Sequence, residues 1–315
     1  MSDIVAREYT DGDLAGVLDL LKASLGETPI LKRTPELFAW KHLVNPFGRS
    51  IMMVAESEGR IVGLRALMRW DLDHPSGRLR GVRAVDTATH PDFQRRGIFR
   101  LLTSTAVDLA RADGIDLIFN TPNPQSGAGY LSMGWQEVDH IGVLARPMLG
   151  LLRSNPPHEG LPDPSDFADD QVLDAVPDVD IRESDKLRTP RTQEYLKWRF
   201  ARHPTARYFC AGDDGNTVVA RPNIRNGRKE LVISDLFGPA PGRSLSRWIH
   251  RSRADYAAGW FSPGSPERKA AMRAGLLPVP RVRSLRLIAR PLRTLPFDVF
   301  DLRNWDLAMS DLELL

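Results

Sequence analysis

RAVDTATHPDFQRRGIFRLL, residues 83–102, is the stretch that decides how this chain is read. Val82–Thr89 has the alternating apolar and β-branched character of a strand. Phe99–Arg111 places apolar residues at 99, 101, 102, 106, 109 and 110, one face of a helix. Between them, QRRGIF at 94–99 forms a short loop that opens the helix. A helix N-terminus leaves backbone N–H groups unpaired and carries partial positive charge, so it can hold a phosphate. Gly97 permits positive φ and a close backbone approach. Arg95, Arg96 and Arg100 crowd the end of the helix where cations oppose the dipole. A bound anion accounts for them better than helix stability does; solvated arginines on an ordinary loop are the plain alternative.

Outward from this segment the chain alternates strand and helix. Leu14–Leu25 has a helical apolar face, and Ile51–Glu56 and Ile61–Trp70 are joined through Ser57-Glu58-Gly59-Arg60 as a hairpin. Asp113-Gly114 ends the central helix, Ile115–Asn120 reads as a short buried strand, and Gln125–Met133 as a helix stopped by Gly134. Gln136–Ala145 reads as a final strand. The order predicts an α/β fold built on a mixed sheet.

The chain also repeats itself. RTPELFAWKHLVNP at 33–46 aligns without gaps to RTQEYLKWRFARHP at 191–204, so that Arg33/Arg191, Thr34/Thr192, Glu36/Glu194, Trp40/Trp198 and Pro46/Pro204 coincide. VAREYTDGDL at 5–14 resembles VDIRESDKL at 179–187, AESEGRIVGLR at 55–65 resembles AGDDGNTVVAR at 211–221, and LARPM at 144–148 matches IARPL at 288–292. Two copies of one fold are expected, 1–148 and 179–292, joined by a Pro/Asp-rich linker at 149–178. The tail 293–315 carries Phe297, Phe300 and Trp305 and should pack on a domain or on a partner chain.

Composition bounds the rest. The chain has 315 residues, 42% hydrophobic and 26% charged, with a formal net charge of +3. Two domains with real cores are expected, not disorder. One cysteine, Cys210, excludes a disulfide framework and any multi-cysteine metal site, and fits a cytoplasmic protein. There is no membrane-spanning apolar run and no apolar signal core. Seven lysines stand against 36 arginines, but no basic and aromatic run points to nucleic acid. No metal-ligand spacing and no nucleophilic triad are present.

Residues 83–102 resemble the acyl-CoA signature of the GNAT superfamily of N-acetyltransferases: a strand ending near His-Pro, then Gln/Arg-x-x-Gly-x-Gly/Ala opening a helix. Thr89-His90-Pro91 and Gln94-Arg95-Arg96-Gly97-Ile98-Phe99 supply it. NPQSGAGYLSMGW at 123–135 is similar to the family's Asn-x-x-Ala-x-x-x-Tyr-x-x-x-Gly-Phe element, through Asn123, Tyr130, Gly134 and Trp135, with Ser126 at the Ala position. The likeness covers roughly residues 3–146, and Phe99 departs from it, standing where the family has Gly or Ala. It implies two GNAT-like acyl-CoA N-acyltransferase domains in tandem. Acetyl-CoA would be held by Thr87, Ala88, Thr89, Gln94, Arg95, Arg96, Gly97, Ile98, Phe99, Arg100, Asn123 and Ser126. Tyr130 would protonate the departing thiolate. Asp86 or a water would accept the amine's proton, with His90 and Glu56 as lesser options, and Asn120 would orient the acceptor. His42, Asn45 and Phe47, which do not recur in the second copy, are the specificity candidates, whereas Trp40 and Pro46 recur and read as packing.

The second copy serves as a control. Its loop PAPGRS, 239–244, keeps Gly242 but loses amide donors at Pro239 and Pro241, and 261–277 keeps Gly275 but has no tyrosine. That copy reads as degenerate. The expected activity is acetyl transfer to a primary amine of a small molecule by direct attack, without metal, in a chain able to form a homodimer. A catalytically silent CoA-binding scaffold and a transferase of longer acyl groups are the rivals.

Overall fold

The computed structural model describes residues 3–27, 32–148, 185–213, 215–252, 254–279 and 285–312, together with Leu173 and Val176. Nearly all of the expected linker, 149–178, lies outside the described residues. The chain divides into two units, 1–139 with 286–300 and 140–285 with 301–314.

The first part of the chain contributes β1 (Val5–Glu8), α1 (Leu14–Leu25), α2 (Pro35–His42), β2 (Ile51–Ser57), β3 (Arg60–Arg69), β4 (Gly81–Thr89), α3 (Ile98–Ala112), β5 (Leu117–Asn120), α4 (Pro124–Leu131), β6 (Gln136–Ile141) and β7 (Leu144–Pro147). The second contributes β8 (Leu187–Arg188), α5 (Gln193–Leu196, continued by a π turn), β9 (Phe209–Asp213), β10 (Asn216–Arg225), β11 (Arg228–Phe237), α6 (Pro241–Arg251), β12 (Tyr256–Gly259), α7 (Pro266–Arg273), β13 (Leu277–Pro278), β14 (Leu285–Pro291), β15 (Trp305–Asp306) and α8 (Met309–Leu312). The expected α/β architecture with mixed sheets is present.

Caps fix several helix starts. The Thr34 side chain accepts from Leu37 N at 3.2 Å to open α2, and Thr192 accepts from Tyr195 N at 3.2 Å to open α5. Asn123 does the same for α4, through Ser126 N at 2.9 Å. In the first unit α3 buries Ile98, Leu102, Ala106, Val107 and Ala110 in one core with Met53, Val62, Leu67, Val82 and Ile118. Each large apolar side chain removed from water there contributes about 1.5–3 kcal/mol.

The sheets differ from the expectation at one place. The first runs β1-β2-β3-β4-β5-β14-β6 and the second β13-β7-β12-β11-β10-β9. The expected single strand 136–145 is broken: β6 stays in the first sheet, and β7 begins after Gly142-Val143 and pairs antiparallel with β12 of the second. Residues 288–291, expected as the end of the second copy, pair antiparallel with β5 in the first sheet. The repeated blocks LARPM and IARPL therefore sit in exchanged sheets. Their likeness explains it, because two strands of the same pattern fit the same slot.

Candidate active site

In the first unit β4 and β5 are parallel and pair only from Gly81↔Leu117 to Arg83↔Phe119. Beyond that point β4 runs on to Thr89, while β5 ends at Asn120, whose backbone pairs with Ile288 of β14. The β5-facing side of residues 84–89 is thus left without a strand partner among the described residues. Opposite, β3 and β4 slip register: Leu64 pairs with Ala88 but Ala66 with Val85. Asp86 and Thr87 face Arg65 alone, and Asp86 takes φ +43°, a left-handed conformation uncommon for a residue with a side chain.

Asp86 is fixed by the basic groups around it. Lys41 Nζ lies 3.0 Å from Oδ2, Arg33 Nη1 3.2 Å from Oδ1, and His42 Nε2 3.1 Å from Oδ2. Burial works against ionisation, but Lys41, His42 and Arg33 together outweigh it and hold the carboxyl well below the usual carboxylate range. A carboxylate so held is a weak proton acceptor, so the geometry does not favour Asp86 as base. His42 is fully buried, with Nδ1 2.9 Å from Ser50 Oγ, and burial pushes its imidazole down despite Asp86.

Gln94, Arg95, Arg96 and Gly97 are all exposed. Arg95 has φ +62°, and Gly97, the residue that opens α3, has φ +78° and nothing within 4 Å of where a Cβ would stand. Two left-handed residues thus flank Arg96, and turns of alternating hand are the backbone form that can present successive amides to an anion. Arg96 Nη2 donates to Asp92 O at 3.2 Å and Arg100 Nη2 to Ser132 Oγ at 3.3 Å. His90 caps the short turn before this loop, accepting from Asp92 N at 3.3 Å.

Phe99 turns inward. Its ring meets Tyr130 edge-on at 5.4 Å, and a Cβ on Gly129 would lie 2.8 Å from it. Gly129 makes room for the large residue at the family's small-residue position.

Tyr130 is buried, packed edge-on to Trp135 at 5.2 Å. Its hydroxyl accepts from Arg65 Nη1 at 2.5 Å, and the same nitrogen lies 2.5 Å from Thr87 Oγ1. Arg65 was not singled out from the sequence, although a lone arginine in the apolar run IVGLRALM is a visible signal.

The remaining candidates are spread out. Ala88 is buried, and Thr89 O accepts from Ser24 Oγ at 3.1 Å. Ile98 belongs to the core. Asn123 and Ser126 are bonded to each other in the α4 cap. Asn120 is buried with Oδ1 unpaired at the end of β5. Of the specificity candidates, Asn45 is spent on its own turn, donating to Arg69 O at 3.0 Å and accepting from Phe47 N at 2.9 Å. Phe47 lies 5.8 Å from Trp70. Glu56 is engaged by Arg7 at 2.7 Å. His42, Asn45 and Phe47 are thus held by protein groups, not gathered on an open wall. No cluster able to hold a metal ion occurs among the described residues.

A parallel pair thus parts beside a turn with two left-handed residues at the head of the next helix. Residues 5–138 match the model of the acetyltransferase (GNAT) domain. No curated protein sequence matches the chain. A GCN5-related N-acetyltransferase from Kribbella flavida is 15% identical, over 92% of this chain and 71% of its own, with a TM-score of 0.62. A tandem GNAT protein from the clavulanic acid biosynthesis pathway is 17% identical, over 93% and 100%, with a TM-score of 0.54. N-myristoyltransferase of Saccharomyces cerevisiae, solved with bound myristoyl-CoA, is 11% identical over 100% and 90%, with a TM-score of 0.61. At these identities the likeness shows the fold, which in this chain is a tandem of GNAT-like domains.

Proposed function

We propose that the protein is an acetyl-CoA-dependent N-acetyltransferase that acts on a primary amine of a small molecule, with its active site in the first unit. The parting of β4 from β5 beside the Tyr130 hydroxyl carries this reading. The fit to acyl-CoA is supported by the open loop at Gln94–Gly97 and by the free backbone edge of 84–89. The loop amides with Arg95, Arg96 and Arg100 would hold the pyrophosphate, and the β4 edge would hold the pantetheine amides. Acyl-CoA supplies the activated acyl group: its C–S bond breaks, a C–N bond forms, and the sulfur leaves with a proton.

The residues divide that work. Tyr130 gives the proton to sulfur, and backbone N–H groups of 86–89 polarise the carbonyl. Water carries the amine's proton away, because Asp86 is saturated by Arg33, Lys41 and His42. Asp86 serves instead to hold the β4 bulge in place. Asn120, with Oδ1 unpaired, orients the amine.

The test is release of free CoA from acetyl-CoA and from longer acyl-CoA substrates across a panel of small amines. Release with acetyl-CoA that needs an amine supports the reading. Release only with longer chains shifts the acyl class, and binding without release from any of them leaves a silent CoA-binding scaffold.

A further inference from the structure

We propose that Arg65 is the positioning residue of the transfer step, aiming the Tyr130 proton at the departing sulfur; this rests on the reading of Tyr130 as the acid. Arg65 is wholly buried and forms no ion pair with a described residue. Its hydrogen bonds go only to Thr87 Oγ1 and Tyr130 Oη, both through Nη1, while Nε and Nη2 have no partner. Among the other buried basic groups, Arg33 and Lys41 lie on Asp86 and Arg191 lies on Asp235 and Asp311, whereas Arg199 of the second copy, like Arg65, donates Nη1 to a tyrosine hydroxyl, that of Tyr208, at 2.5 Å. A buried cation with idle donors and no counter-ion costs stability.

Hydrogen-bond chemistry supplies the reason. A guanidinium donates and never accepts. By filling one acceptor site of the phenol oxygen, Arg65 prevents the Tyr130 proton from being spent on Arg65 itself. No described residue accepts that proton, so it is available toward the β4–β5 opening. The guanidinium carbon also stands 4.9 Å from the Tyr130 ring centroid and 5.8 Å from that of Phe99, which with Trp135 at 5.2 Å fixes the phenol in place. When Tyr130 gives its proton to sulfur, the oxygen left negative is already bonded to a cation.

Five variants test this: R65M, R65K, Y130F, the double variant R65M/Y130F, and R221M at the aligned position of the second copy. Acetyl-CoA affinity is followed by calorimetry, and kcat and KM on the best amine. R65M is expected to lower kcat about 100-fold, within the range for a positioned acid, with acetyl-CoA affinity changed less than about twofold. R65K, which restores the cation and a donor, should recover part of kcat. The double variant should be no slower than Y130F, because Arg65 acts through Tyr130, and R221M should match wild type. Should R65M fail to fold, R65K against R65K/Y130F gives the same comparison. An unchanged kcat in R65M, or losses that add in the double variant, overturns the proposal while leaving the transferase reading intact. Wild type that binds acetyl-CoA but turns over no amine overturns both.

Discussion

The two copies share one structural solution and part at the residues of the candidate site. Arg33 and Asp86 pair at 3.2 Å in the first unit, and Arg191 and Asp235 pair at 3.0 Å in the second. The threonines that cap the following helices and the buried tryptophans Trp40 and Trp198 recur as well. The surroundings of the two aspartates then diverge. Asp86 adds Lys41 and His42, whereas Asp235 accepts from Ser310 Oγ at 2.8 Å, and Arg191 also bonds Asp311, both buried residues of α8. The loops at 94–99 and 239–244 diverge further. Gly97 faces open space, but a Cβ on Gly242 would lie 3.1 Å from Ala270 O of α7, and Asn216 Oδ1 already takes Ala240 N at 2.7 Å. What the copies share is architecture, and what only the first holds is the candidate chemistry. Each aspartate is paired with the arginine of the repeated block of its own copy, which argues again for Asp86 as an anchor.

The most severe way to break this comparison is to cut the chain after residue 148. The fragment lacks β14, which stands between β5 and β6 in the first sheet. It should be insoluble or unfolded by circular dichroism, although it contains the whole matched segment; a folded, CoA-binding fragment would refute the exchange. Next in size is Tyr130→Phe, expected to lower kcat about 10²–10⁴-fold with acetyl-CoA affinity unchanged by calorimetry. Substitutions in 239–244 should change neither quantity.

Asp86→Asn and Asp235→Asn should each destabilise by about 3–5 kcal/mol in chemical denaturation, because each strands a buried cation. If Asp86 were only a base, its substitution would slow turnover and leave stability unchanged. The pH dependence has a definite sign. Asp86 is held below its unfolded value, so its contribution is complete above about pH 4 and is lost as pH falls further. His42, held neutral by burial, adds a loss that begins below about pH 6.5. Stability should therefore fall on acidification in two stages, and D86N should flatten the lower one. The smallest effect sharpens the likeness: Thr34→Ala and Thr192→Ala should each cost about 1 kcal/mol, and by similar amounts.

Much of the first unit is legible from its letters. Leu14–Leu25 is a helix over the expected span, the 83–102 strand, loop and helix stand where the pattern puts them, and Gly97 is left-handed. What the letters hide depends on partners far along the chain. Asp86 reads as a base until Arg33, Lys41 and His42 close on it. Arg65 reads as one polar residue in a strand until the register slip turns it toward Tyr130. LARPM and IARPL read as the last strands of their own copies, since nothing local distinguishes one slot from the other.

That exchange has a bearing on descent. A copy without its sister's candidate site would ordinarily be free to erode, yet each half here carries a strand that completes its sister's sheet. Deleting either half would take a strand from the other's sheet, so inheritance keeps the pair together whichever of them is selected for chemistry.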